Sequence, residues 1–135
     1  MFYYNSPECK EPDDCPAGLH YYWNYAIETQ WDFETLTDIQ ATSNSCDFRT
    51  TAGAVGRTFF GVNNFITPPA QDKAKTVNEF DFAKNRIAMC SELNENLDVN
   101  FILVDFWSEG DLPRLTQEHN AALASRRRKL FRGTA

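Results

Sequence analysis

The clearest strand signal in the chain is the nearly continuous apolar run VNFILVDFW, residues 99–107. A strand with one face in solvent alternates apolar and polar residues, whereas a strand covered on both faces is apolar throughout. The run therefore predicts a buried strand that is parallel and central in its sheet. The run TFFGVNNFI, residues 58–66, predicts a second strand, and Pro68 and Pro69 end it. The opening MFYY, residues 1–4, predicts the end of another strand.

Apolar residues spaced by three and four positions predict three amphipathic helices. They cover residues 17–31, residues 73–97 and residues 112 to about 129. Asp111 is suited to cap the last helix, and Pro113 fits its first turn, where an N–H is not needed. Strands and helices thus alternate, which indicates a parallel sheet with covering helices.

The length of the chain limits how large this sheet can be. With 135 residues, the chain is expected to form one α/β domain spanning residues 1–135. A complete (β/α)₈ barrel takes about 250 residues. A barrel-like chain of this length would therefore be only a part of a barrel.

The charge of the chain argues against a nucleic-acid partner. The formal net charge is −6 and the isoelectric point is about 4.8, whereas binding to phosphates requires a basic surface. The basic block of residues 126–129 is interpreted as a solvated helix end, where cations suit the helix dipole. No apolar run reaches the ~20 residues of a membrane span, and no export signal is predicted at the N-terminus.

Four cysteines allow two disulfide bridges. Cys9 and Cys15 could close a small acidic loop, and Cys46 and Cys90 could form a second bridge, if the parent protein is secreted. The compartment itself stays open. Zinc is disfavoured because no CxxC or HxxxH spacing occurs, and neither a metal nor a cofactor is predicted. Four cysteines are also too few for a small scaffold held together mainly by disulfides.

Asp105 is the first candidate for chemistry, because it is a carboxylate inside a run that should be buried. A buried carboxylate needs a partner or a raised pKa. At the end of a strand it can orient a histidine and stabilise its charged form. The alternative is that Asp105 caps the next helix or binds loop amides, although Asp111 already suits the capping role.

Polar or aromatic groups at the ends of the other strands are candidates for binding. Asn63 and Asn64 can donate hydrogen bonds to phosphate or sugar oxygens, or can simply satisfy loop backbone. Tyr4 either lines the mouth of a barrel or belongs to the core. His20 and His119 fall on predicted helices and are not expected to take part in catalysis.

Several segments together resemble a known family. The segment VNFILVDFWSEGDLPRLTQEHN is similar to the last strand and helix of the phosphatidylinositol-specific phospholipase C-like phosphodiesterases, with Asp105 and Asn120 at the family's characteristic positions. FFGVNNFIT is similar to an earlier family strand. YYWNYAIETQWDF resembles the family stretch that ends in ETPFS, with Gln30 in place of the proline. MFYYNS looks like the strand before it.

The resemblance implies a partial (β/α) TIM-like barrel, made of about the last three βα units. Family members cleave phosphoinositide-type diesters with two histidines as acid and base, and an aspartate on the last strand positions the first histidine. Asp105 would be that aspartate. The two histidines lie on early strands of the family barrel, so they have no counterpart here.

The resemblance also sets the expected activity and partners. The chain alone is expected to be a hydrolase fragment that is inactive without the N-terminal half of a barrel. Tyr4, Asn63, Asn64 and Trp107 are the expected substrate-binding residues. The alternative is a non-catalytic module in which aromatic residues bind a lipid head group, a glycan or a protein.

Overall fold

A computed structural model describes residues 2–3, 15–42, 44–49 and 59–132 of the chain. Its elements, in chain order, are β1 (Phe2–Tyr3), β2 (His20–Tyr21), β3 (Ala26–Glu28), α1 (Leu36–Gln40), β4 (Phe59–Asn63), α2 (Gln71–Val77), α3 (Phe80–Leu93), β5 (Val99–Leu103) and α4 (Leu112–Arg132). A short 3₁₀ turn, Tyr22–Asn24, separates β2 from β3.

Three parallel strands form the main sheet, in the order β3-β4-β5. The strands β1 and β2 form a separate parallel pair. The predicted α/β class is therefore confirmed, as a three-stranded parallel sheet with four helices. The described strands form an open sheet and do not close into a barrel.

The strand predicted from residues 99–107 is parallel, as expected, but it is not central. Among the described strands β5 pairs only with β4, which occupies the middle of the sheet. Residues 101–104 are all apolar because Ile102 and Val104 pack towards the helices while Phe101 stacks with aromatic rings on the other face. The strand ends at Leu103 because the chain turns immediately afterwards, with Phe106 at φ +49°.

The predicted helix over residues 17–31 is wrong. This segment contains β2, the 3₁₀ turn and β3, and all three residues of β3 are buried. A short apolar stretch with helical spacing can also suit a buried strand, and here the pairing of Ala26–Glu28 with β4 prevails. His20 consequently lies on a strand rather than on a helix.

The predicted helix over residues 73–97 is two helices, α2 and α3, which meet at Asn78 and Glu79. The Asn78 side chain is fully buried and donates from Nδ2 to the carbonyls of Asp105 (2.9 Å) and Phe106 (3.3 Å). Asparagine favours such local departures from helical geometry. The last predicted helix is confirmed as α4 and extends to Arg132.

The helices α3 and α4 cover one face of the sheet. The apolar core between these helices and the sheet is built from strands, helices and one loop. It consists of Ile27, Phe60, Val62 and Val99 from the strands, Ala83, Ile87, Cys90, Leu112 and Leu115 from the helices, and Cys46 from the loop before β4. A second, smaller core joins α1 to α2 through Phe33, Ile39, Ile66 and Val77. In the described residues, no helix is both long enough and apolar enough to cross a membrane.

Arg86 of α3 is a charged residue inside this packing, with only 3% of its surface exposed. Its guanidinium donates to the carbonyls of Asn63 (3.0 Å), Ile39 (2.6 Å) and Ser45 (3.0 Å), and to Ser45 Oγ (3.1 Å). It also lies 5.0 Å from the centre of the Phe33 ring. Burial lowers the pKa of Arg86 to about 10, so the group remains charged at neutral pH. One side chain thus joins α3, β4, α1 and the loop that contains Ser45.

The disulfide Cys46–Cys90 fastens the same loop to α3. Both cysteines are buried, and Asn94 Nδ2 donates to the Cys46 carbonyl at 3.0 Å. The second predicted bridge, between Cys9 and Cys15, lies partly outside the described residues. Residues 44–49 are therefore held by one covalent bond and by the Arg86 hydrogen bonds.

Replacing Arg86 by Met should lower the free energy of unfolding by about 3 kcal/mol, because four buried oxygens lose their donor. Urea unfolding monitored by circular dichroism measures the change. The control is Arg126→Met, in which an exposed arginine paired with Asp98 is removed; it should cost less than about 0.5 kcal/mol. Equal effects of the two substitutions would contradict the role given to Arg86.

The double substitution Cys46→Ala/Cys90→Ala should lower stability by about 4 kcal/mol, since the bridge closes a loop with a sequence separation of 44. Guanidinium chloride unfolding of both proteins checks this. An unchanged midpoint would show that the bridge contributes nothing beyond packing.

Candidate functional site

A cavity of about 540 Å³ lies on the face of the sheet that α3 and α4 leave uncovered. It is lined by Tyr22, Glu28, Trp31, Arg49, Asn63, Phe65 and Leu103. Three of these residues, Glu28, Asn63 and Leu103, are the last residues of β3, β4 and β5. Ligands of open parallel sheets bind at this edge, beyond the carboxyl ends of the strands. The cavity is therefore the candidate site.

The register of the strands places these groups side by side. Glu28 is paired with Gly61, and Asn63 with Leu103. A Cβ atom at Gly61 would lie 3.1 Å from Tyr22 Oη, 3.2 Å from Leu103 Cδ1 and 3.3 Å from Glu28 Cγ. Because Gly61 has no side chain, Tyr22, Leu103 and Glu28 can approach one another on the face of the sheet that carries the cavity.

Glu28 is the most unusual group in the cavity, because it is a carboxylate with only 2% of its surface exposed. Its Oε2 accepts from Asn63 Nδ2 at 3.3 Å and lies 3.9 Å from Arg49 Nη1. Its Oε1 is buried, and no described residue donates a hydrogen bond to it. A buried carboxylate oxygen without a donor is destabilising. Such an oxygen can accept a hydrogen bond from a ligand that enters the cavity.

Arg49 supplies the positive charge of the cavity wall. Its backbone N–H donates to the Glu28 carbonyl at 2.8 Å. Its guanidinium lies 5.0 Å from the centre of the Trp31 ring and 5.4 Å from that of Trp23. These cation–π contacts limit the freedom of the side chain, although 32% of it is exposed. The cation is thus held in place and remains accessible.

The loop that carries Arg49 is fastened along its length. Phe48 forms an antiparallel bridge with Thr29, and Gln30 N–H donates to the Asp47 carbonyl at 2.9 Å. The disulfide at Cys46 and the bonds from Arg86 to Ser45 hold its other end. The buried core on one face of the sheet therefore fixes the position of a cation on the other face.

The predicted residues Asn63 and Asn64 have different surroundings. Asn63 lines the cavity, but its Nδ2 also donates to the Thr29 carbonyl at 2.8 Å. Asn64 is fully buried and donates from Nδ2 to the Val77 carbonyl at 2.8 Å. It does not line the cavity. The Asn64 amide therefore binds backbone, as the alternative stated for these residues expects. The Asn63 amide also binds backbone, but in addition it lines the cavity.

Asp105 lies beyond the end of β5, half-buried, and does not line the cavity. Its Oδ2 is shielded from solvent, and no described residue donates a hydrogen bond to it. Trp107, in the following turn, is 73% exposed. Tyr4 lies outside the described residues.

The two histidines do not line the cavity. His119 Nε2 lies 2.9 Å from the Val99 carbonyl and donates to it. The His20 ring packs edge-on against Tyr25 at 5.3 Å. In the described part of the chain, no group of three or more His, Cys, Asp or Glu side chains is placed to hold a metal ion.

Sequence reasoning missed Glu28, Arg49 and Tyr22 as site residues. Tyr22 and Glu28 were hidden by the helix predicted over residues 17–31. The available signal was a charged residue, Glu28, directly after the apolar pair Ala26-Ile27, as Asp105 follows Val104. Arg49 lies in a polar loop, where nothing in the sequence distinguishes a cavity cation from a surface one.

Comparisons with protein-family models, with curated proteins and with solved structures gave no match to this chain. The site must therefore be interpreted from its own geometry. It combines a buried acceptor, a fixed cation, an amide and aromatic rings, which together can bind a ligand that carries both hydroxyl and phosphate groups.

Substituting Glu28 by Gln should leave the free energy of unfolding unchanged or raise it by up to about 1 kcal/mol. The amide has nearly the same shape, and its burial requires less desolvation than that of a carboxylate. The lost ion pair with the partly exposed Arg49 offsets little of this gain.

Thermal and urea unfolding of Glu28→Gln, beside Glu118→Gln as an exposed control, tests this expectation. A loss of more than about 2 kcal/mol in Glu28→Gln would show that the carboxylate is retained for stability rather than for a ligand.

Proposed function

We propose that this chain is the part of a phospholipase C-like phosphodiester hydrolase that binds the polar head group of a phosphoinositide-type substrate. The observation that carries the proposal is the buried Glu28 carboxylate, which faces Arg49 at the C-terminal edge of a parallel sheet and whose Oε1 receives no hydrogen bond from any residue that the structure describes. The resemblance of residues 99–120 to the last strand and helix of that family supports it.

The cavity suits a phosphorylated polyol because each of its groups matches one feature of such a ligand. Glu28 accepts hydrogen bonds from ring hydroxyls, and Arg49 donates to a phosphate oxygen and neutralises its charge. Trp31 and Phe65 provide apolar walls beside the ring. A neutral apolar ligand would leave the carboxylate oxygen without a donor.

Asp105 has a separate role in this proposal. Its buried Oδ2 lacks a donor among the described residues, so it can accept a hydrogen bond from the imidazole of a histidine contributed by another part of the barrel. A carboxylate in such a contact orients the ring and stabilises its protonated form. A fuller (β/α) barrel that includes the catalytic histidines is part of the proposal.

The alternative is a non-catalytic module that binds the same class of ligand. It is favoured by one observation, that neither His20 nor His119 lines the cavity. Both proposals require ligand binding to the cavity, and both expect no hydrolysis by the chain alone. They differ in whether Asp105 is needed once catalytic histidines are supplied.

Titration calorimetry with myo-inositol 1-phosphate tests the shared claim. The wild-type chain should bind, and Glu28→Gln and Arg49→Met should each weaken binding about tenfold or more, which corresponds to the loss of one charged hydrogen bond. Asp105→Asn, outside the cavity lining, should stay within about twofold of the wild type.

Glycerol 1-phosphate, which carries a phosphate but no polyol ring, should bind more weakly than the inositol compound. Two results would overturn the proposal. One is the absence of binding to a sample that unfolds cooperatively, and the other is equal binding by the wild type and both cavity variants. Hydrolysis of phosphatidylinositol by the chain alone would contradict its expected inactivity.

A further inference from the structure

The sequence contains a single run of adjacent basic residues, and it lies near the end of α4. Residues 126–129 read Arg-Arg-Arg-Lys, and nowhere else do two lysines or arginines stand side by side. Arg126 and Arg128 are exposed. Arg126 Nη1 lies 3.5 Å from Asp98 Oδ1, but 65% of the arginine side chain is exposed, so the pair is weak. This basic block is therefore accessible from solvent.

The buried stripe of α4 ends before the basic block. Leu112 and Leu115 belong to the core, and His119 and Leu123 are half-buried. Every later residue of α4 whose exposure the structure describes is exposed, namely residues 124–126 and 128. Because packing supplies most of the stability of a helix, a helix end without it opens at little cost in free energy.

The charges of the block weaken the helix further. Residues 126 and 129 lie one turn apart, and like charges at this spacing repel each other. The helix dipole favours cations only within the last turn, whereas α4 continues to Arg132. The end of α4 can therefore unwind locally while the packed part of the helix remains folded.

We propose that the basic block is a processing site for a subtilisin-type endoprotease of the secretory pathway that cleaves after paired basic residues. Arg127 and Arg128 are the recognised pair, because carboxylates in the pockets of such a protease match guanidinium groups in charge and geometry. Water is added across the amide bond between Arg128 and Lys129. The reaction leaves a carboxylate on Arg128 and an amino group on Lys129.

The choice of bond follows from the structure of α4. The bond between Arg127 and Arg128 also follows two arginines, but it lies one residue closer to the packed part of the helix. Opening proceeds from the helix end, so the bond after Arg128 becomes available first.

Two observations favour processing over binding of a polyanion by the block. The disulfide Cys46–Cys90 is typical of the oxidising secretory pathway, where proteases of this class act. Arg126 also shares a groove with the acidic residues Glu92, Asp98 and Glu118, which reduce the attraction of the block for a polyanion.

The block lies at the edge of the sheet opposite to the candidate site. The helix α4 begins after the end of β5 and runs back along the sheet, so that Arg126 meets Asp98, which directly precedes β5. The core residues of α4, Leu112 and Leu115, precede the cleaved bond. Cleavage should therefore leave both the fold and the cavity intact.

Incubation of the folded chain with a purified paired-basic-specific subtilisin-type protease, followed by intact-mass measurement, tests the site. The wild type should lose residues 129–135. The variant Arg127→Gln/Arg128→Gln should be cleaved about tenfold more slowly or less, because the protease loses charged hydrogen bonds to the pair.

The matched control is Arg126→Gln/Lys129→Gln, which removes the same charge from the same turn of α4 but keeps the arginine pair. It should be cleaved within about threefold of the wild-type rate. Both double variants relieve repulsion within the helix, so a difference between their rates reports on recognition by the protease.

Trypsin measures the opening of the helix separately, since it cleaves after any accessible arginine or lysine. It should cut within residues 126–129 before it cuts after Arg114. That residue lies in the first turn of α4, where its guanidinium is 4.1 Å from the centre of the Phe80 ring and its neighbour Leu115 is buried.

Three results would overturn the proposal: an intact wild type, equal rates in the two double variants, or tryptic cleavage after Arg114 as fast as cleavage in the block. The product that ends at Arg128 should keep the urea midpoint of the uncut chain and its binding of myo-inositol 1-phosphate. The cleavage assay does not use the cavity, so it and the calorimetric test can fail independently.

Discussion

The hydrogen bonds of Arg86 are the interaction on which most of this structure depends. A buried guanidinium is expensive to desolvate, and here it is satisfied by neutral oxygens from three separate segments. These oxygens belong to the end of β4, to α1 and to the loop before β4. Because the donors of a guanidinium have a rigid geometry, the three segments must meet around it in one arrangement.

The same arrangement positions residues that line the cavity. Asn63, whose carbonyl accepts from Arg86 Nε, presents its side chain to the opposite face of the sheet. Ser45, the other main acceptor, precedes Arg49 by four residues in a loop that the disulfide at Cys46 also holds. The amide of Asn63 and the cation of Arg49 are therefore positioned by contacts that lie on the other side of the strands.

The sequence predicts the fold better than the site. Residues 58–66 and 112–129 have an apolar pattern with one interpretation, and the structure agrees with it in β4 and α4. The pattern of residues 17–31 has more than one interpretation, because a short aromatic stretch can satisfy helical spacing while its last residues pair as a strand. The break at Asn78 was also hidden, since it depends on carbonyls of Asp105 and Phe106, which are distant in sequence.

The site was harder to predict because its residues are defined by register. Asp105 and Asn63 could be identified as polar groups near strand ends, but only the pairing of Glu28 with Gly61 shows that a carboxylate faces the cavity. Arg49 lies in a polar loop and gains its role only from the bridge between Thr29 and Phe48. Such long-range contacts leave no local pattern in a single sequence.

Asn78 has a consequence that reaches beyond its own position. The residue marks the junction between α2 and α3, and it also holds both ends of the turn after β5. Its Nδ2 donates to the carbonyls of Asp105 and Phe106, and its own carbonyl accepts from the Asp111 N–H at 3.0 Å. The junction between α2 and α3 and the turn after β5 are about 30 residues apart in sequence, but Asn78 couples their geometry. A lengthening of either connection would have to be matched in the other, so the two segments should vary together among proteins that share this architecture.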